Sequence, residues 1–540
     1  MIEIQPVINK YPKKGPIIQY GTAGFRTIAE NLDHIAFRMG LLAALRSKGK
    51  GSAAIGLMIT ASHNPEADNG VKMIDPHGEM LEQKWESIAT ELANADDNLV
   101  QEELNRIVSE LGIDISKPAH VFIGRDTRPS SLHLSKAAMD GVEVLSGFVK
   151  DHGVVTTPML HYYVYSYNIG PSNEISYREN YLSRFTAAFK ALRKESTKNV
   201  NYEATIDFDG ANGVGAIAMH EFVSRLGNSL NVNIYNSDTT TKGKLNFMCG
   251  ADFVKTNQKP PEGFAIIPNR RIVSVDGDAD RVIYCYVDEN GVFHLLDGDN
   301  IATLVAGYLM DLVRDSGLNL KLGLVQTAYA NGNSTRYISE KLRVPVACAC
   351  TGVKHLHHKA LEYDIGVYFE ANGHGTVLFS NNARNLITQA AADERLPDSK
   401  RQMVIRLKQL TELINSTVGD AISDMFLVET VLYFRGWSIQ DWFSVYANLP
   451  NRLSKVTITD RNTIKTADAD RKCTSPEGLQ EAIDKIVKDY PSGRSFVRPS
   501  GTEDIVRIYA EAESQEAADE LATRVCRLVY DIAGGIGAFP

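Results

Sequence analysis

The segment Met58-Ile-Thr-Ala-Ser62-His63-Asn-Pro65-Glu-Ala-Asp-Asn69-Gly70-Val-Lys72-Met73 decides how the chain is read. The apolar run 53–59 stops abruptly at small and polar residues, as a buried strand does when it hands the chain to a surface loop. Ser62 is therefore expected at a strand end. Pro65 removes a backbone donor and steers Asn64 away from helix, and the Asn69-Gly70 pair is the expected positive-φ turn of a tight loop. A serine hydroxyl is a weak nucleophile at its own pKa, so chemistry there needs a nearby base and cations to hold an incoming anion. His63 and Lys72 are the local candidates. The alternative is a solvated loop in which Ser62 caps a helix.

Outward from this loop, strand, polar turn and helix alternate, which argues for mixed α/β layers with functional loops at strand ends. Upstream, Gly21-Thr-Ala-Gly24-Phe-Arg26-Thr27 is either a plain turn or one that brings backbone donors and a guanidinium to a phosphate. Helices are expected over 32–46 and 85–95, the second followed by an acidic connection. Val121-Phe-Ile-Gly-Arg-Asp126-Thr-Arg128-Pro-Ser-Ser131 is again a strand, a polar turn and a helix start. Residues 166–203 read as a polar turn followed by a basic amphipathic helix over 181–194. Next comes Ile272-Val-Ser-Val-Asp276-Gly-Asp278-Ala-Asp280-Arg281. Three aspartates at alternate positions between two strands converge oxygens on one point, a set suited to a hard divalent cation. An EF-hand is excluded, because its glycine and glutamate positions fall on Arg281 and Val287. Magnesium, which leaves room for a phosphoryl oxygen, fits better than a solvated acidic turn whose carboxylates would repel one another.

A helix over 301–314, capped by Asp299 or Asn300 and closed at Gly317, opens a third unit. A strand over 322–326 and Thr351-Gly352-Val-Lys-His355 lead to Ile365-Gly-Val-Tyr-Phe-Glu370-Ala-Asn372-Gly-His374. A carboxylate and an amide at a strand end suit directional bonds to sugar hydroxyls, the alternative being a polar turn with a satisfied histidine. Residues 381–400 are expected as an exposed excursion, 401–413 as helix, and Trp437 and Trp442 as packing residues. Last, Ser495-Phe-Val-Arg498-Pro-Ser500-Gly501-Thr502-Glu503-Asp-Ile-Val-Arg507 sets guanidiniums, hydroxyls and glycine amides between two strands. That is the composition of a phosphate cradle, or else a surface turn with an Arg507 to Glu503 pair. A helix over 515–532 covers this last sheet.

The 540 residues are enough for several domains, and 44% hydrophobic with 23% charged residues is an ordinary globular balance. No apolar run is long enough to span a membrane. Residues 1–16 mix charge and proline without a signal-peptide pattern, so a cytoplasmic protein is expected. Six sparse cysteines read as reduced thiols, and the spacing of Cys348 and Cys350 to His355, His357 and His358 fits no common zinc site. A net charge of -9 argues against a nucleic-acid surface. Any anionic ligand must be small and held locally.

Together, Thr60-Ala-Ser62-His63-Asn-Pro, Asp276-Gly-Asp278-Ala-Asp280-Arg281, Glu370-Ala-Asn372-Gly-His374 and Arg498-Pro-Ser500-Gly501-Thr502 resemble the active-site loops of the α-D-phosphohexomutase superfamily, in its order and across the whole chain. The resemblance implies an α/β fold of four domains around a central cleft, three related mixed α/β layers and a smaller C-terminal α+β domain. The expected divisions are 1–180, 181–295, 296–445 and 446–540. It implies that Ser62 is the phosphoserine and, with Asp276, Asp278 and Asp280, binds Mg2+. His63, Lys72, Arg26 and Arg281 would serve catalysis; Thr351, Gly352, Glu370, Asn372 and His374 the sugar; Arg498, Ser500, Gly501, Thr502 and Arg507 the distal phosphate. The segment Gly124-Arg-Asp-Thr-Arg128-Pro-Ser follows the serine loop, whereas in the glucose and mannose mutases it precedes it. Where those enzymes commonly have serine in the sugar loop, Asn372 stands here. Both features are similar to the branch acting on N-acetylglucosamine phosphates. The expected reaction is interconversion of the 6- and 1-phosphates through N-acetylglucosamine 1,6-bisphosphate, in UDP-N-acetylglucosamine synthesis, with a small sugar phosphate as partner and neither nucleic acid nor membrane. A glucose or mannose mutase, a magnesium-dependent phosphatase and a sugar-phosphate-binding protein without catalysis are the rivals.

Overall fold

The run that ends at Ser62 is a central strand. In the computed structural model, which describes residues 4–21, 23–170, 176–194, 201–500 and 504–540, β1 (Phe25–Ile28), β2 (Ala54–Ile59), β3 (Asp68–Ile74), β4 (His120–Arg125) and β5 (Phe148–Val154) form one mixed sheet, ordered β1-β3-β2-β4-β5. Every residue of β2 is buried. Its alternate residues Ile55, Leu57 and Ile59 join a core shared with helices Asp33–Gly49 and Ser131–Val144. On the other face, a Cβ at Gly56 would meet Val164 of helix Thr157–Ile169 at 3.0 Å. A strand covered on both faces must read as an unbroken apolar run.

The second sheet holds β6 (Thr205–Asp209), β7 (Asn231–Tyr235), β8 (Ile272–Val275), β9 (Val282–Val287) and β10 (Phe293–Leu296), ordered β10-β9-β8-β6-β7. β8 and β9 pair antiparallel, so the aspartate motif is the turn between them. The third sheet comprises β11 (Leu322–Thr327), β12 (Val346–Ala349), β13 (Ile365–Phe369) and β14 (Gly375–Phe379), ordered β12-β11-β13-β14. The last domain pairs β15 (Asn451–Thr457) with β19 (Ile505–Glu511) and β19 with β18 (Arg494–Pro499), beside a ribbon of β16 (Lys465–Ala467) and β17 (Lys472–Ser475). Helix Gln515–Ile532 contributes Leu521, Val525 and Val529 to its core.

Two compact units result. One comprises Met1–Asp297 with Asn372–Thr376 and Lys408–Ile439, the other Gly298–Ala371 with Val377–Leu407 and Gln440–Pro540. Among the described residues, no helix is long and apolar enough to cross a membrane.

Two helices stand where a connection and an excursion are expected, and a third lies mostly in a stretch with no expected element. The acidic connection contains helix Val100–Leu111, whose buried Val100, Leu104 and Ile107 make a narrow stripe among glutamates. Helix Thr157–Ile169 has Pro158 in its first turn and Thr156 as its cap, the Thr156 Oγ1 accepting from Met159 N at 3.2 Å. The excursion 381–400 contains helix Asn381–Ala392, capped by Ser380. Only Ala383 and Ile387 of that helix are buried, too few to register as a period.

Candidate active site

Ser62 is fully buried and has φ 53°, a left-handed conformation that costs a non-glycine residue about 1–2 kcal/mol. The left-handed residue of the loop is thus the serine itself and not the Asn69-Gly70 pair. Those two residues lie inside β3, opposite Thr27 and Arg26 of β1. Gly70 serves close strand packing, since a Cβ there would sit 2.4 Å from the Phe25 carbonyl oxygen and 2.6 Å from that of Thr60.

Polar groups from distant segments fix the serine backbone. Ser62 N donates to Thr60 Oγ1 at 3.1 Å, and Thr60 Oγ1 donates to Asp126 Oδ2 at 2.8 Å. Arg128 is buried; it donates to Asp126 Oδ2 at 2.9 Å and to the carbonyls of Pro65, Ser62 and Asn64 at 2.6, 3.0 and 2.9 Å. Asn246 Nδ2 donates to the Ser62 and Asn64 carbonyls at 2.9 and 3.2 Å.

Beyond the hydroxyl lies the aspartate turn. Ser62 Oγ donates to Asp276 Oδ2 at 2.5 Å, and His63 Nδ1 is 3.5 Å from Ser62 Oγ. Asp276, Asp278 and Asp280 are all buried, with one oxygen of each within 4.8 Å of the others. Among the described residues this is the one such grouping of histidine, cysteine, aspartate or glutamate. Lys72 Nζ donates to Asp278 Oδ2 at 3.0 Å and to Asp280 Oδ2 at 3.2 Å, and Thr157 Oγ1 donates to Asp278 Oδ2 at 2.7 Å. Arg281 Nε lies 3.8 Å from Asp276 Oδ2, and His374 Nδ1 lies 3.6 Å from Asp280 Oδ1. His374 arrives through backbone pairing of Gly373 O with Val282 N at 3.1 Å.

Charge in this centre is finely divided. Burial, then Asp280 and Asp278, push the Asp276 carboxyl well above its ordinary range. Burial acts the same way on Asp278 and Asp280, but neighbouring groups outweigh it and hold both below: Lys72, the Thr157 hydroxyl and Arg26 for Asp278, and Lys72, His374, Arg281 and Arg26 for Asp280. Burial followed by Arg281 and Arg26 depresses His63 to about 3, so its imidazole is neutral near pH 7. Burial and Arg281 also lower Arg26, which lies in the field of all three aspartates. Asp278 Oδ1 and Asp280 Oδ1 are buried without a hydrogen-bond partner. Two orphaned carboxylate oxygens in an all-oxygen donor set fit a small hard cation such as magnesium.

In the other unit, Gly352, at φ 123°, begins helix Val353–Ala360, and Thr351 N donates to Asp470 Oδ2 at 3.0 Å. Glu370 follows β13. Glu370, Asn372 and His374 share the loop between β13 and β14, and residues 372–376 belong to the first unit. Asn372 Oδ1 accepts from His374 N at 3.0 Å, which orders the first-unit part. Arg498 and Arg507 face each other across β18 and β19. Arg498 lies 6.0 Å from the Tyr329 ring centroid, and both arginines oppose the upward push of burial on the Tyr329 hydroxyl. Ser500 is buried, and its N donates to the Ile505 carbonyl at 2.9 Å. Gly501, Thr502 and Glu503 lie outside the described residues. Asp126, Arg128, Thr157, Asn246, Tyr329 and Asp470 were not anticipated as parts of these sites. The quoted arginine-aspartate segment was the one available signal, for the first two.

Phosphohexomutase models match both ends of the chain: "Phosphoglucomutase/phosphomannomutase, alpha/beta/alpha domain I" over residues 33–100 and "Phosphoglucomutase/phosphomannomutase, C-terminal domain" over 455–528. These matches, with the mixed α/β sheets, set the class. The middle matches "Phosphoacetylglucosamine mutase AMG1", domain II over 170–283 and domain III over 297–437. Phosphoacetylglucosamine mutase of Homo sapiens is 52% identical, over 97% of this chain and 96% of its own length. N-acetylphosphoglucosamine mutase of Aspergillus fumigatus, in complex with GlcNAc-6P and magnesium, is 45% identical with a TM-score of 0.92, over 98% of this chain and 99% of its own. A variant of that enzyme in complex with glucose 1,6-bisphosphate is 44% identical with a TM-score of 0.91, over 98% of each chain. The chain belongs to the phosphoacetylglucosamine mutase family.

Proposed function

We propose that the chain interconverts N-acetylglucosamine 6-phosphate and N-acetylglucosamine 1-phosphate, on the route to UDP-N-acetylglucosamine. The observation that carries this reading is a buried, left-handed Ser62 whose hydroxyl is bonded to Asp276, one of three clustered carboxylates of which two, Asp278 and Asp280, keep an orphaned oxygen. Phosphorylated Ser62 gives its phosphoryl group to the free sugar hydroxyl, which loses its proton and forms the 1,6-bisphosphate. After the bisphosphate reverses, its other phosphate passes to Ser62 and the isomeric monophosphate leaves. Ser62, Asp276, Asp278 and Asp280 would hold magnesium, which when bound supplies charge neutralisation at phosphoryl oxygens. Lys72, between Asp278 and Asp280, and Arg26 and Arg281 beside them, put positive charge against the transferring group. His63, kept neutral and 3.5 Å from Ser62 Oγ, is assigned to catalysis beside the serine.

Thr351, Gly352, Glu370, Asn372 and His374 are assigned to the sugar. Arg498, Ser500 and Arg507, with Gly501 and Thr502, are assigned to the phosphate that is not reacting; one cradle thus serves both orientations of the bisphosphate. One principal sheet in each of 1–180, 181–295, 296–445 and 446–540, and one family-model match falling largely in each, support those four domains. Six free cysteines support a cytoplasmic location.

The test is an assay on N-acetylglucosamine 6-phosphate with magnesium and a trace of glucose 1,6-bisphosphate. The 1-phosphate should form without release of inorganic phosphate. Phosphate release without isomerisation would make the protein a phosphatase and overturn the proposal.

A further inference from the structure

We infer that Asn246 and Arg128 are positioning residues for the phosphoryl-carrying serine: together they hold the Ser62 and Asn64 carbonyls and so keep Ser62 left-handed, with its hydroxyl on Asp276. The inference rests on the proposed mutase reaction and names what fixes its nucleophile.

Four hydrogen bonds converge on two adjacent carbonyl groups. Arg128 reaches Ser62 O at 3.0 Å and Asn64 O at 2.9 Å, and Asn246 Nδ2 reaches the same two atoms at 2.9 and 3.2 Å. A third neighbour is the aspartate turn, where a Cβ at Gly277 would fall 2.6 Å from Ser62 O and 3.1 Å from Asn246 Nδ2. The Ser62 carbonyl therefore has Arg128, Asn246 and the Gly277 backbone packed about it. Left-handed serine is disfavoured, so without these donors the peptide would relax and swing the hydroxyl off Asp276.

Both donors are themselves anchored. Arg128 is tied to Asp126, which accepts from Thr60 Oγ1 and from Ser131 Oγ at 2.6 Å. Asn246 N donates to the Ala211 carbonyl at 2.9 Å, and nearby Gly243 N donates to Glu66 Oε2 at 2.8 Å, fastening the 243–246 loop to the serine loop. A mutase makes a particular demand of this arrangement. The serine must donate a phosphoryl group as an ester and accept one as a hydroxyl in every turnover, from the same place each time. Misplacement by about 1 Å costs about a hundredfold in rate.

Arg128 is wholly buried and its loss endangers folding, so Asn246 carries the test. In the full-length protein, Asn246→Ala should lower kcat about tenfold, the worth of one or two neutral hydrogen bonds, with KM for N-acetylglucosamine 6-phosphate within about twofold of the parent. Asn246→Asp keeps the shape but aims a carboxylate oxygen at two carbonyls, and should lower kcat about a hundredfold. Uptake of phosphate by Ser62 from glucose 1,6-bisphosphate, followed by intact mass, should slow in the same order. Parent-like kcat and uptake in both variants would overturn the inference. So would a fast Asn246→Asp beside a slow Asn246→Ala, which would reduce Asn246 to a space-filler. If the parent itself fails to isomerise the sugar phosphate, the proposed function falls instead, and the two failures are told apart by that control.

Discussion

The serine centre of the first unit and the arginine hairpin of the second are built to opposite rules. Ser62, Lys72 and the three aspartates are buried and cross-linked by groups up to 214 residues apart in sequence. Arg507 is exposed and Arg498 half-buried on an antiparallel hairpin whose backbone would form whatever those side chains were. Bond-making tolerates little displacement and uses a fixed, dehydrated cluster that strains one residue and crowds like charges. On the proposed reading, Arg498 and Arg507 would hold a phosphate that is not reacting and must be let go, which suits accessible guanidiniums on a stable frame.

The sharpest way to break this contrast is Asp276→Asn. An asparagine still accepts from Asp280 N and Arg281 N, as Asp276 Oδ1 does at 3.1 and 3.2 Å, but carries no charge. Mutase activity should fall about a thousandfold, the scale of losing one preorganised electrostatic group. Stability in magnesium-free buffer should instead rise by about 1 kcal/mol, because burial and two neighbouring carboxylates disfavour the Asp276 charge. Activity and thermal unfolding on the same sample decide it, and a drop in both would place Asp276 among ordinary structural carboxylates.

Arg507→Ala should show the complementary pattern. KM for the sugar phosphate should rise by about ten- to a hundredfold through loss of a charge-assisted contact. Unfolding should stay within about 0.5 kcal/mol of the parent, since the side chain is exposed. Steady-state kinetics check the first and denaturant melts the second.

A smaller effect concerns pH. Burial depresses His152 and His161 of the first unit to about 4, below the ordinary 6.5. The fold therefore favours their neutral forms. That stabilisation is complete above about pH 6.5 and is lost as pH falls toward 4. His161 Nδ1 donates to the Gly78 carbonyl at 2.7 Å, a bond the amide of His161→Gln can keep. Between pH 7 and 4.5 the parent Tm should fall by about 2 °C more than that of the variant. Equal slopes would show that His161 does not titrate with folding.

The two regions also differed in legibility. The four motif loops stood out because each interrupts an apolar strand with residues that have no packing role: a serine and histidine after Ile59, alternate aspartates after Val275, a carboxylate after Phe369, arginines about Pro499. The sheets followed from those strands. What stayed hidden depends on partners far away in sequence. Nothing local distinguishes Asn246 from any loop asparagine, and its bond to Ser62 spans 184 residues. Asn69-Gly70 has the composition of a turn, but the near approach of Phe25 and Thr60 carbonyls made a glycine necessary inside a strand. The helices at 100–111, 157–169 and 381–392 escaped because glutamates, aromatics or polar amides blur their buried faces.

The central claim, that Ser62 carries the phosphoryl group, is most directly tested by intact mass of the parent and of Ser62→Ala after incubation with glucose 1,6-bisphosphate and magnesium, with turnover of N-acetylglucosamine 6-phosphate measured on the same samples. The account predicts one added phosphoryl mass and turnover in the parent, and neither in the variant. A Ser62→Ala protein that still gained the mass or still formed the 1-phosphate would contradict it.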